Sequence, residues 1–205
     1  MVIDFIESKT LDPQGVRNNL ERIIPVIKKI HKSIPMKLDG QPPLFWVFYV
    51  IKYYANFLLK NESNHIPIIS ELLEKSDRLE ILSSPRYIVF CHNDLLAANF
   101  LDDGSKIWVV DWEYGGFNDP LFDLGGLASN NDFDRQQEEQ LLEMYYEEKP
   151  SSDFFIKYKA MKTASLLRET MWSMVSEITS KLDFDYGEYT SENLTKFNEA
   201  FESMR

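Results

Sequence analysis

With 205 residues, 44% of them hydrophobic and 14% aromatic, the chain holds enough apolar surface for a sizeable core, which excludes general disorder. A formal net charge of -11 excludes a surface that attracts nucleic acid or anionic membranes, and it favours cationic partners. A single cysteine, Cys91, excludes an internal disulfide and points to a reducing, cytoplasmic setting.

The chain opens on Met1-Val2-Ile3-Asp4, with none of the basic residues that precede the apolar core of a secretory leader. VIDFI (2–6) reads as a short strand or extended segment. LDPQG leads into VRNNLERIIPVIKKIH, where Val16, Leu20, Ile23, Ile27 and Ile30 recur at helical spacing. Pro25 lies inside that run and is expected to kink or break the helix. PMKLDGQPP (35–43) reads as a loop, and 44–60 as a largely apolar helix. The LFWVFYVI stretch in that helix is cut by Lys52 and is far short of the roughly 20 residues that a membrane span needs. Residues 67–80 read as a further helix with Ile69, Leu72, Leu73 and Leu79 inward.

The texture then changes. YIVFC (87–91) and KIWVV (106–110) are β-branched and aromatic runs of strand length. Asp102-Asp103-Gly104-Ser105 marks a tight turn after Asn99-Phe100-Leu101, and both acids read as turn residues. After Pro120 the chain reads as helical. DRQQEEQLLEMYYEE forms one helix, SDFFIKYKAMKTASLLRETMWSMVSEITSKL a long one, and SENLTKFNEAFESM the last, with Ser191 as N-cap. No repeat or linker interrupts this order. The expected fold class is α+β, mostly helical, with a small embedded β-hairpin.

The hairpin organises the polar residues. Asp94 and Asn99 lie in a loop after one strand, and Asp111 lies at the end of the next. If the strands pair around the turn, two carboxylates and an amide oxygen converge, a hard-oxygen set that suits Mg²⁺. His31, His65 and His92 are scattered along the chain, so no histidine-cysteine set competes for zinc. Cys91 reads as a small buried apolar residue. Asp111 by itself also reads as a solvent-facing strand end, Asp123 as an acid favoured by a helix N-terminus, and Glu113 as an exposed side chain.

HNDLLAANFL (92–101), VVDWEY (109–114) and DPLFDLG (119–125) resemble, in this order, three motifs of the aminoglycoside phosphotransferase and choline/ethanolamine kinase superfamily. These are its H-x-D-x-x-x-x-N catalytic loop, its metal-binding strand end and the helix start that follows. CHND, DWEY, LRETMWSMV and LDFDYGEY are most similar to the choline/ethanolamine kinase branch. The resemblance implies a protein-kinase-like C-terminal lobe that uses ATP and Mg²⁺. It makes Asp94 the catalytic aspartate, acting on the proton of the attacking hydroxyl. It makes Asn99 and Asp111 the Mg²⁺ ligands, and His92 a scaffold of the loop. Asp123 would anchor that loop by accepting backbone hydrogen bonds, and Asp119 would shape the turn. Phosphoryl transfer needs positioning and charge neutralisation more than covalent chemistry, which agrees with these roles.

VIDFIESKTL (2–11) resembles the inter-lobe hinge of the same superfamily, which implies that the backbone of Asp4, Phe5 and Ile6 meets the adenine. Its Ser8 stands where a glycine is common. None of the eight glycines forms a Gly-rich hairpin ahead of a lysine-bearing strand. The expected plan is therefore a hinge-like segment at 1–11 and a catalytic and substrate lobe at 12–205, with the N-terminal nucleotide lobe absent. The face left by that lobe is expected to favour self-association or pairing with it. The acceptor implied is a small cationic alcohol such as choline or ethanolamine, whose head group suits aromatic faces and a carboxylate. Glu169 and Trp172, at i and i+3, share a helix face. Glu113 and Tyr114, with Trp112, lie beside the metal strand, and Tyr186 follows the long helix. An aminoglycoside-type kinase fits the acidic surface equally, and a non-catalytic kinase-like binding module is the alternative of another class. Retention of Asp94, Asn99 and Asp111 together argues against that module.

Overall fold

The computed structural model describes residues 5–204. They divide into two units: Met1–Leu44 with Ile88–Ser151, and Phe45–Tyr87 with Ser152–Arg205.

In the first unit, β1 (Lys9–Thr10) precedes α1 (Pro13–Asn18) and α2 (Leu20–Ser33). The extended segment expected at 2–6 lies largely outside the described residues, and Phe5 and Ile6 join no strand. The single helix expected over 16–31 is two. Asp12 starts α1 by accepting the Gly15 amide at 2.6 Å, and Pro13 supplies a ready-made first-turn φ. The break falls at Asn19, whose side chain donates to the Gly15 carbonyl at 2.8 Å. Pro25 does not break α2. It is exposed, as is Glu21 one turn earlier, so the carbonyl that loses its N–H partner faces water. The opposite face buries Ile23, Ile24, Ile27, Ile30 and His31.

Four more strands follow: β2 (Val89–Cys91), β3 (Phe100–Asp102), β4 (Ile107–Val109) and β5 (Gly116–Asn118). The hairpin around the DDGS turn pairs β3 with β4, Leu101 opposite Trp108, and β1 adds to the free edge of β3. Asp103 is the turn's hub: it accepts the amides of Ser105 and Lys106 at 2.8 Å and the Trp108 indole N–H at 2.7 Å. Asp102 does more than turn the chain, since it takes a two-pronged ion pair from Arg22 on α2 at 2.6 and 2.7 Å. The YIVFC run does not join this hairpin. Its β2 pairs antiparallel with β5, Phe90 opposite Phe117. α5 (Pro120–Asn130) and α6 (Arg135–Tyr146) complete the unit.

The second unit is helical: α3 (Val47–Lys60), α4 (Ile66–Leu82), α7 (Ser152–Thr179) and α8 (Tyr186–Glu202). α7 buries residues all round, from Phe155 and Tyr158 to Met171 and Met174, as a central helix does. Ser191 is not the cap of the last helix. Asp185 is, accepting the Glu188 amide at 2.9 Å, so α8 starts before the run that carries its apolar spacing. No helix among the described residues is long and apolar enough to cross a membrane.

Candidate active site

The site lies in the first unit, around Asp123 in the first turn of α5. Asp119 caps that helix through the Leu121 amide at 2.9 Å, which sets the turn. Asp123 is 2% exposed. Its carboxylate accepts the backbone amides of His92 at 2.8 Å and Asn93 at 2.7 Å, and it meets His31 Nε2 at 3.0 Å. Burial pushes this carboxyl up. The His31 hydrogen bond, the electrostatic attraction of the His31 and His92 rings and the His92 amide together outweigh it and hold Asp123 below the usual carboxylate range. The loop that begins at His92 therefore hangs on a buried anion.

His92 is fully buried and its Nε2–H donates to the Val110 carbonyl at 2.9 Å, with the Trp112 ring edge-on at 4.6 Å. Val110 in turn donates its amide to the Asn99 carbonyl at 3.0 Å. One residue thus ties the start of the loop, its end and the β4 terminus. This pairing sets Asn99 opposite Val110, the residue before Asp111. Asn99 Nδ2 donates to the Asp94 carbonyl at 2.8 Å, which ties Asp94 to Asn99. Asp94 is half-buried, Asn99 buried and Asp111 exposed. Asp111 holds a left-handed backbone at φ 63°, uncommon for a residue with a Cβ, and Asn93 does so at φ 67°. Asn93 is fixed by donation to the Tyr114 carbonyl at 2.9 Å and acceptance from Asn118 at 2.9 Å. Glu113 is exposed, and Tyr114 is half-buried. In the hinge-like segment Asp4 lies outside the described residues, Phe5 is 92% exposed, and the Ile6 carbonyl accepts Ser8 Oγ at 3.1 Å.

Sequence reasoning missed His31, Asn93 and Asn118. The histidines are not all scattered: α2 brings His31 to Asp123 and Cys91, with one ligand atom of each inside 4.8 Å of the others. The reason is long-range packing of α2 against β2 and α5, which no local spacing reveals. These atoms are already hydrogen-bonded, Cys91 Sγ to the Asp119 carbonyl at 3.6 Å and His31 to Asp123. Burial pushes the Cys91 thiol well up.

Glu169 and Trp172 lie on α7 in the second unit. Glu169 accepts Arg168 at 2.8 Å and the Tyr189 hydroxyl at 2.9 Å. Trp172 packs edge-on to Tyr186 at 6.1 Å, and Phe184 bridges Tyr186 at 4.9 Å to Tyr189 at 5.7 Å. A carboxylate and an aromatic cluster therefore share one region of this unit.

The family described as choline/ethanolamine kinase matches residues 1–158 of the chain. A probable ethanolamine kinase of Arabidopsis thaliana is 28% identical over 219 residues, covering 91% of this chain but 57% of that protein. The chain thus spans little more than half the length of that relative. A choline/ethanolamine kinase family protein from Mesorhizobium loti superposes with a TM-score of 0.83 at 24% identity, covering 97% of this chain and 68% of that one. A structure of LicA in complex with AMP superposes at 0.76 with 23% identity, over 98% and 68%. These likenesses establish the mostly helical, kinase-like fold expected from the sequence.

Proposed function

Because the chain belongs to the choline/ethanolamine kinase family, we propose that it forms the acceptor-side part of an ATP-dependent phosphotransferase acting on the hydroxyl of a small amino alcohol, choline or ethanolamine. The observation that carries the reading is the Asp123 clamp. A buried anion holds the amides of His92 and Asn93, and His92 holds the end of β4. The backbone that carries Asp94, Asn99 and Asp111 is thereby held, with Asn99 giving its Nδ2 to the Asp94 carbonyl. Asp94 would take the hydroxyl proton and aim the oxygen. The donor set fits Mg²⁺: Asn99 uses Nδ2 on the Asp94 carbonyl and keeps Oδ1 free for a cation, and Asp111 offers an exposed carboxylate. Bound with the nucleotide, the ion would neutralise and align the phosphates. The backbone of Asp4, Phe5 and Ile6 would meet the adenine. A carboxylate with aromatic faces, as Glu169 and Trp172 offer, would suit a cationic head group. Segment 1–11 is then the hinge and 12–205 the lobe, acting in the cytoplasm.

The test is acceptor-dependent ADP release by the chain joined to the nucleotide lobe of a family relative. Choline- or ethanolamine-dependent release is expected. Transfer to aminoglycosides alone would overturn the acceptor, and nucleotide binding with no transfer at all would leave a binding module.

A further inference from the structure

The Asp123 carboxylate needs its three donors, and the third one depends on a proton that can sit on either nitrogen of an imidazole. Asp123 is held below the usual range and so carries no proton; His31 Nε2, 3.0 Å away, must be the donor. In the neutral ring that leaves Nδ1 bare. Nδ1 lies 2.6 Å from the Tyr145 hydroxyl, on α6. We infer that Tyr145 is a positioning residue for the loop that carries Asp94: its O–H donates to His31 Nδ1 and locks the ring in the tautomer that donates to Asp123.

The alternative tautomer shows why the hydroxyl matters. With the proton on Nδ1, His31 would turn a bare Nε2 lone pair toward a carboxylate, and both His31 and Asp123 are buried, so water could not repair the clash. A donor at Nδ1 disfavours that state. The Tyr145 ring is itself held: it stands edge-on to Tyr146 at 4.7 Å and to His31 at 5.5 Å, and the Lys28 ammonium lies 5.9 Å from its centroid. The hydroxyl therefore acts at a distance, through His31 and Asp123, on the amides of His92 and Asn93. Its bearing on catalysis rests on the kinase reading above, whereas the hydrogen-bond chain does not.

The test uses the whole 205-residue chain with ¹⁵N-labelled histidine. A long-range ¹H–¹⁵N spectrum of the wild type is expected to show His31 as a single Nε2–H tautomer at neutral pH. In Tyr145→Phe the Nδ1–H form should become populated, and exchange of the His92 and Asn93 amides should quicken by about fivefold, the weight of one ordinary hydrogen bond, relative to amides of α7. A wild-type His31 that is Nδ1–H or doubly protonated overturns the inference without any variant. An unchanged tautomer and unchanged loop exchange in Tyr145→Phe overturns it as well. Faster exchange spread evenly over the chain would show a merely structural role. If the chain joined to a relative's nucleotide lobe transferred phosphate to no acceptor, the kinase reading would fail while these outcomes stayed decisive.

Discussion

Asp94→Asn keeps the shape of the side chain and removes its charge. If Asp94 acts on the hydroxyl proton, turnover in the chain joined to a nucleotide lobe should fall by about 10²–10⁴-fold while nucleotide affinity stays level. A variant that keeps a tenth of the activity would remove Asp94 from that role. Asp123 makes a different prediction, for pH. Its folded pKa is depressed, so its contribution to stability is present above the unfolded carboxylate value near 3.9 and is lost as pH falls through the lower folded value. The urea-midpoint gap between wild type and Asp123→Asn should be constant from pH 7 to 5 and shrink below about pH 4. A gap that does not change on acidification would mean that the carboxylate is not ionised in the fold. At this scale the sequence was legible where contacts are local. Asp94 and Asn99 sit five positions apart on one loop, and the Asn99 side chain reaches the Asp94 carbonyl. His31 was illegible because its partner lies 92 positions away.

Among the elements, α5 couples stability to the site, because its cap and its clamp lie in one turn. Asp119→Ala removes the acceptor of the Leu121 amide and should cost about 1 kcal/mol in urea unfolding. The same variant should loosen the His92 and Asn93 amides more than those of α8. Exchange that is unaltered in the loop would show that the cap and the clamp are independent. The helices read at 44–60, 67–80, 134–148 and 152–182 were legible and are found as α3, α4, α6 and α7. β5 was not, since Gly116-Phe117-Asn118 has no β-branched run. Its strand character comes from pairing with β2 and from the Phe117 amide donating to the Pro43 carbonyl at 2.9 Å. The α1–α2 break was likewise masked, because the apolar period continues through Asn19 while its side chain turns back to Gly15.

For the whole chain, a net charge of -11 would act in opposite directions on the two substrates of the proposed reaction. A cationic acceptor is drawn in, but a nucleotide carrying several negative charges is not. The resemblance to the superfamily implies that a lysine and a covering loop answer that repulsion, and no Gly-rich hairpin ahead of a lysine-bearing strand is legible in the sequence. Phosphate charge would then be met by Mg²⁺ on Asn99 and Asp111 with water on the remaining side, where each contact is worth less at high dielectric. The 205-residue chain assayed alone should therefore release ADP at a rate indistinguishable from buffer with choline, ethanolamine or an aminoglycoside, and joining it to a relative's nucleotide lobe should restore amino-alcohol-dependent release. A steady-state assay of both forms checks this. Robust acceptor-dependent release by the isolated chain would mean that the acceptor-side residues suffice to hold the nucleotide, and that the lysine and loop are dispensable here.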